Sequence, residues 1–264
     1  MSTKSDWNLT GKTALVTGGA GLLGPHIGMA LAEAGATVVL CDINPQSGRK
    51  ALSNVPKALK SLVRFQPLDV TRENSIKKLI KAVEKKNGGI DILINAAIAS
   101  GTTHFTSVEK YDMNHWNRVM EVNVNGTFLM TRNAAASMIK KDIRGSIINI
   151  ASIYGVVGAD QRIYGSSGIN SPAVYAASKG AIVNLTRYFA AYWAKNGLRV
   201  NCVSPGGVFN DQPKEFLERY AAKTPLGRMM DRKEIKGAVL YLASNASSFV
   251  TGHNIMVDGG WTAW

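Results

Sequence analysis

"TALVTGGAGLLGPHIGMALAEAGATVVLCD", residues 13–42, decides the fold. It opens on "TALVTG" (13–18), a short apolar run of the kind that forms a buried strand. Glycines then cluster at 18, 19, 21 and 24. From 23 to 34 apolar side chains return at helical spacing, and "TVVLCD" (37–42) is a second strand-like run. A helix lying between two buried strands, with no room for a hairpin, carries the chain across the sheet to a parallel neighbour.

The turn itself carries chemistry. Gly19-Ala20-Gly21-Leu22-Leu23-Gly24 fits G-x-G-x-x-G directly after a strand and at the opening of a helix. Glycines there allow a tight turn and close backbone approach, so that a pyrophosphate can sit on the helix N-terminus. Pro25 suits the first helical turn, where a missing N–H costs nothing. Asp42 closes the second strand at about the distance expected of a carboxylate that holds both ribose hydroxyls of a dinucleotide. A purely structural reading stays open, with glycines for packing and Asp42 capping the helix before "NPQSGRK". His26 reads as a partly exposed helix residue.

The same alternation runs outward through the chain. Strand-like runs recur at 62–69, 90–97, 145–152, 198–205 and 253–260, and helical periodicity at 45–60, 72–88, 112–140, 172–196 and 231–243. Strands apolar on both faces, each followed by a helix, imply an α/β, doubly wound parallel seven-stranded sheet with helices on both faces. No linker or repeat divides the chain, so residues 1–264 are expected to form one dinucleotide-binding and catalytic domain. Two irregular stretches, 156–174 and 206–230, are expected to be substrate loops.

Composition narrows the partners. The chain of 264 residues carries 31 Lys and Arg against 18 Asp and Glu, a net charge of +13. The basic residues are scattered along helix faces, with no basic tail and no aromatic–basic stripe, which reads as a solvated surface and not a nucleic-acid footprint. No apolar run approaches a membrane span, and the N-terminus has no apolar signal core. A cytoplasmic protein with no membrane partner is therefore expected. Cys41 and Cys202 lie in strand-like runs and read as reduced core residues. His26, His104, His115 and His253 show no paired ligand spacing, so no metal is expected.

Tyr175 and Lys179, in "YAASK", stand four apart on a predicted helix and so share a face. Taken alone such a pair is an ordinary surface feature. With the glycine turn it becomes specific, because "TGGAGLLG", "CD", "LDV", "NAA", "VNVNG", "IASIYG", "YAASK", "SPGGV" and "DGGW" follow one another along nearly the whole chain. In this the chain resembles the short-chain dehydrogenases/reductases, in their single-domain, sugar- and polyol-dehydrogenase-like branch. It departs from the family pattern at Leu22, where a turn glycine is usual, and at Ala97 in "INAA".

The resemblance implies a Rossmann fold and an NAD-dependent oxidoreductase that interconverts a secondary alcohol and a ketone, NADP being disfavoured by Asp42. Tyr175 would be the acid/base, Lys179 its partner, Ser152 the carbonyl-polarising hydroxyl and Asn123 the supporting amide. Lys179 and a positive nicotinamide ring would draw the Tyr175 phenol down toward the working range. Gly18, Gly19, Gly21, Leu23 and Gly24 would form the cofactor turn, with Asp42 and Ile43 at the ribose. Asp69 and Val70 would border the adenine, Asn95, Ala96 and Ala97 would floor the ribose, and Pro205, Gly206 and Val208 would face the nicotinamide. Tyr175 and Lys179 would also touch the cofactor.

The segment between Ser152 and Tyr175 is long for the family and polar. Gln161, Arg162, Tyr164 and Asn170 on it are candidates to bind substrate hydroxyls or a carboxylate, with a solvated surface loop as the alternative reading; the first reading favours a sugar, sugar acid or polyol. The alternatives are a 3-oxoacyl-thioester or hydroxysteroid-like reductase and, from another class, a non-catalytic nucleotide-sensing protein. The helices at 112–140 and 172–196 would pair between subunits in a homotetramer. The second helix shows two apolar faces, Ile182, Leu185 and Phe189 on one and Tyr188, Tyr192 and Trp193 on the other; one is expected to cover the sheet and the other to meet a second subunit.

Overall fold

The computed structural model describes residues 3–99, 107–166 and 170–264; His104 and residues 167–169 of the expected 156–174 loop lie outside them. Seven strands, β1 (Thr13–Thr17), β2 (Thr37–Asp42), β3 (Val63–Pro67), β4 (Ile92–Asn95), β5 (Ser146–Ile150), β6 (Arg199–Pro205) and β7 (Asn254–Val257), form one sheet. The order is β3-β2-β1-β4-β5-β6-β7 and every pairing is parallel. Strand order reverses beside β1, so the loops after β1 and β4 diverge and open a crevice at the carboxyl edge.

The helices are α1 (Thr3–Asp6), α2 (Gly24–Glu33), α3 (Pro45–Ser53), α4 (Glu73–Asn87), α5 (Met113–Met120), α6 (Thr127–Lys140), α7 (Ala173–Tyr192), α8 (Lys214–Lys223) and α9 (Ile235–Ala243). Side chains alternate between two cores, as a pleated strand requires. Ala14, Val16, Val38, Leu40, Ile92 and Ile94 pack with Ile27 and Leu31 of α2 and Val239 and Leu242 of α9. Leu15, Val39, Leu93 and Ile147 pack on the other face with Ile76 and Val83 of α4, Met130 and Met138 of α6 and Phe189 of α7. Each large aliphatic side chain so buried contributes about 1.5–3 kcal/mol, and it is this double-sided burial that makes the strands read as unbroken apolar runs.

Local chemistry sets the element ends near the crevice. Asn44 caps α3 by accepting from the N–H groups of Gln46 (2.9 Å) and Ser47 (3.1 Å), with Pro45 in the first turn. The helix therefore starts directly after Asp42 and holds that residue at the strand end. Cys41 and Cys202 are free and buried, and burial pushes the Cys202 thiol up to about 11.

Four expectations need correction. The 206–230 stretch holds α8, whose Phe216, Leu217 and Tyr220 pack inward while a Lys214–Glu218 ion pair lies on its outer side; flanking Gly and Pro residues mask its period. The helix expected over 112–140 is interrupted by a π-helical turn, Glu121–Gly126, where a Cβ on Gly126 would come 2.7 Å from Val70 Cγ2. The 45–60 helix stops at Ser53, before Pro56, and a 3₁₀ turn follows. Trp193 is buried, stacked on Phe189 at 4.9 Å, and does not belong to the outer face of α7.

Candidate active site

The crevice is a cavity of about 870 Å³ running from the β1–α2 turn to α8. Gly18 sits at φ +61°, and a Cβ there would lie 2.5 Å from the Ala96 carbonyl oxygen. A Cβ on Gly24 would overlap the Gly18 carbonyl oxygen and lie 2.7 Å from Gly19 Cα. These neighbours are backbone, so no rotamer relieves the overlap. No side chain caps the N-terminus of α2. The bare turn, the uncapped helix end and the Asp42 carboxylate at the next strand end fit a dinucleotide: pyrophosphate on the helix and ribose at Asp42.

Asp42 is held in place by two backbone donors, Ala20 N–H at 3.2 Å and Asn44 N–H at 3.1 Å. A carboxylate offers about four acceptor positions, so capacity remains for hydroxyl donors. Gly18, Gly21, Leu23, Gly24, Asp42, Ile43, Asp69, Val70, Ala96, Ala97, Pro205, Gly206 and Val208 all line the cavity. The Asp69 carboxylate accepts from Thr71 N–H (3.0 Å) and Thr71 Oγ1 (2.7 Å), which orders the turn after β3. The Val208 carbonyl accepts from Gln212 Nε2 at 2.9 Å.

Two expected cofactor contacts are absent from the lining. Gly19 serves packing: a Cβ would come 2.8 Å from Cys41 N and 2.9 Å from Leu40 Cα, so its bareness lets the turn press on β2. Asn95 lies beneath the floor, where its Nδ2 donates to Thr131 Oγ1 and Asn149 Oδ1, both at 2.8 Å. Asn149 in turn donates to Thr186 Oγ1 at 2.9 Å. This buried chain of amides and hydroxyls joins β4, β5, α6 and α7 under the site, and the sequence reading missed it because such residues show no period. Thr17 was missed too: its Oγ1 accepts from Ala96 N–H (3.1 Å) and Ala97 N–H (3.2 Å), fixing the loop after β4. A threonine ending a glycine-loop strand is the only sequence signal for it.

Ser152 follows β5 and Tyr175 lies in the first turn of α7, and both line the cavity with Lys179. Burial pushes the Tyr175 phenol above its ordinary value, and a hydrogen bond from Ser152 pulls it partly back. The Ser152 oxygen also accepts from Tyr154 N–H at 3.2 Å. Lys179 is 4% exposed; its Nζ donates to the Ile150 carbonyl at 2.7 Å and stands 5.6 Å from the centre of the Tyr175 ring. Burial lowers the ammonium to about 8. The expected depression of the phenol by Lys179 is thus corrected for the chain by itself: burial raises the phenol, the lowering comes from Ser152, and the lysine donates to a main-chain carbonyl.

Asn123 occupies the π-helical turn and does not touch the cavity. Its Oδ1 accepts from Ala99 N–H (2.9 Å), its Nδ2 donates to Ser178 Oγ (3.1 Å), and Ser178 Oγ donates to the Tyr175 carbonyl (2.8 Å). The side chain therefore positions the loop after β4 against α7. π-Turns of this kind cluster at functional sites.

Beyond Ser152 and Tyr175 the cavity is walled by aromatic side chains. The Tyr154 and Tyr164 phenols are hydrogen-bonded to each other, Tyr164 packs on Phe216 at 5.4 Å, and Tyr220 stacks on Trp261 at 4.4 Å. Tyr164 lines the cavity as expected of a substrate contact, but Arg162 does not. Its guanidinium makes two bonds of 2.9 Å to Asp160, and its side chain is 82% exposed. Asp160 turns it outward, so Arg162 is withdrawn as a substrate residue.

Sheet topology, glycine turn and catalytic-type side chains together define a dinucleotide-dependent oxidoreductase. The comparisons specify the family. Residues 19–262 match a family model described as enoyl-(acyl carrier protein) reductase. The chain is 35% identical to 2-(S)-hydroxypropyl-CoM dehydrogenase 3 of Xanthobacter autotrophicus, over 97% of this chain and 98% of that one. It is 37% identical to a short-chain dehydrogenase of Leptospira borgpetersenii crystallised with bound NAD+, with TM-score 0.88, covering 99% of this chain and 96% of that one. It is 30% identical to a gluconate 5-dehydrogenase of Burkholderia cenocepacia in complex with NADP and tartrate, with TM-score 0.86 and full coverage of both chains. This protein belongs to the short-chain dehydrogenase/reductase family, whose members act on CH–OH groups with NAD or NADP.

Among the described residues no helix is long and apolar enough to cross a membrane, and no cluster of three or more His, Cys, Asp or Glu side chains could hold a metal ion.

Proposed function

We propose that this protein interconverts a small secondary alcohol and its ketone with NAD in preference to NADP. The reading rests on Ser152, Tyr175 and Lys179 sharing one cavity with the bare glycine turn and Asp42. A bound nicotinamide dinucleotide supplies or accepts the hydride. Tyr175 gives its phenolic proton to the oxygen of a ketone as that oxygen gains charge, and takes the hydroxyl proton back when the alcohol is oxidised. Ser152 donates a hydrogen bond to the same oxygen, a preorganised contact of the oxyanion type. Lys179 sits behind the ring and favours phenolate, working against burial. Asn123 and Ser178 hold α7 in register so that the phenol stays beside Ser152.

The NAD preference follows from Asp42. A 2′-phosphate would bring negative charge against a half-buried carboxylate, and the one lining cation at that end among the described residues, Arg118, is paired with Glu121 at 2.9 Å. Arg49 and Lys50 are exposed on α3. We expect kcat/KM with NAD to exceed that with NADP by more than about tenfold, or about 1.4 kcal/mol. Asp42→Ala should shrink the ratio, chiefly by improving NADP use. A wild-type preference for NADP, or a ratio unmoved by the substitution, would remove Asp42 from the ribose site.

Neutral sugars and polyols fall within the proposed substrate class. Their support is the size of the compartment and its phenols. The protein is further proposed to act as a homotetramer. Phe128 on α6 and the stacked Tyr188 and Tyr192 on α7 are 37%, 59% and 65% exposed, an aromatic patch that a second copy would cover. Light scattering that gives a monomer mass at micromolar protein would contradict it.

A further inference from the structure

The cavity changes electrical character along its length. Among the described residues its lining contains two cations, Arg118 and Lys179. Arg118 belongs to the end that holds Asp69: it pairs with Glu121 at 2.9 Å and helps to keep the Asp69 acid low. Lys179 is buried against the Ile150 carbonyl. The compartment beyond Tyr175 is walled by Tyr154, Tyr164, Phe216, Tyr220 and Met229, and the one charged side chain among the described residues that line it there is Glu215, paired with Arg219 at 2.9 Å.

The nearby cations are committed elsewhere. Arg162 and Lys223 both pair with Asp160, and Arg219 pairs with Glu215 at 2.9 Å and donates to the Arg162 carbonyl. In a chain of net charge +13, the described residues thus make this compartment a neutral aromatic chamber edged by the Glu215–Arg219 ion pair. A substrate carboxylate entering it would be stripped of water with no cation to meet it, an unfavourable exchange. A flat uncharged carbon body would gain contact with the ring faces of Tyr164 and Phe216.

We propose that this compartment selects uncharged secondary alcohols and ketones with a compact ring-shaped body, and excludes carboxylate-bearing substrates such as sugar acids. This rests on the alcohol–ketone reading above and narrows its substrate class. Tyr154 and Tyr164 provide the polar contact for one further oxygen of the substrate.

The test is calorimetric titration of the NAD+-saturated protein, in which a ketone cannot turn over, with 3-oxocyclohexanecarboxylate and with its carboxamide, and NADH oxidation by the same compounds followed separately. The carboxamide should bind at least about 30-fold more tightly, which is about 2 kcal/mol. Glu215→Lys, at the edge of the compartment, should cut that preference to less than about fivefold by replacing a carboxylate with a cation and releasing Arg219 from its ion pair. Equal or tighter binding of the carboxylate overturns the proposal, as does binding of gluconate when neither cyclohexanone derivative binds. If the carboxamide is preferred but no carbonyl compound oxidises NADH, charge selection stands and the alcohol–ketone reading fails. If reduction proceeds without discrimination, the reverse holds.

Discussion

Tyr175→Phe lowers kcat for ketone reduction and alcohol oxidation by at least about 10²-fold, while dinucleotide affinity stays within about twofold of wild type. Phenylalanine preserves the ring that packs below Lys179, so the cavity keeps its shape. It removes the one proton that can pass to the substrate oxygen, and Ser152 is left polarising a carbonyl with no acid to complete the reduction. The pH dependence has a definite sign. Because burial raises the phenol, alcohol oxidation, which consumes phenolate, should accelerate as pH rises; ketone reduction should slow over the same range. The measurement is steady-state kinetics of both variants in both directions beside a fluorescence titration with NADH. Near-wild-type turnover in the Phe variant would end the assignment of Tyr175.

Gly24→Ala should weaken dinucleotide binding by at least about 10²-fold and destabilise the fold by about 1–3 kcal/mol. The added carbon would overlap the Gly18 carbonyl oxygen and lie 2.7 Å from Gly19 Cα. Relief requires α2 to move away from the turn, which misplaces its N-terminus and loosens the contact between Gly28 and Leu40 below it. Gly21→Ala is the internal comparison, since its Cβ would meet only the Gly18 carbonyl at 3.2 Å, and it should cost far less. Urea denaturation and calorimetric titration with NAD read the two effects separately. Equal tolerance of alanine at 21 and 24 would contradict the role given to the turn.

The parallel sheet was legible because its strands are buried on both faces and its glycine turn has a steric reason that sequence spacing reveals. What escaped the sequence depends on three-dimensional pairing. Asp160 captures Arg162 two residues along the chain, and no periodicity signals that a charged side chain is turned away from a cavity. Gly19 and Gly24 look alike in the motif, yet one packs against β2 and the other against Gly18. Asn95 belongs to a motif associated with ribose, but its amide is drawn into a core network with Asn149 and Thr131. The α8 helix was hidden by the Gly and Pro residues on either side of it. The relation between Tyr175 and Lys179 was read as direct because four residues bring two side chains to one face; burial and the Ile150 carbonyl decide where the ammonium actually donates.

The central claim is that hydride passes between a secondary carbinol carbon and the dinucleotide held by the Gly18–Gly24 turn. It is tested most directly by incubating the protein with NAD and a set of neutral cyclic secondary alcohols deuterated at the carbinol carbon, then analysing the nicotinamide by mass spectrometry. The account predicts one deuterium in each reduced nicotinamide, formed in equal amount with the ketone, for at least one member of the set. Tight NAD binding with no labelled nicotinamide from any such alcohol would contradict it.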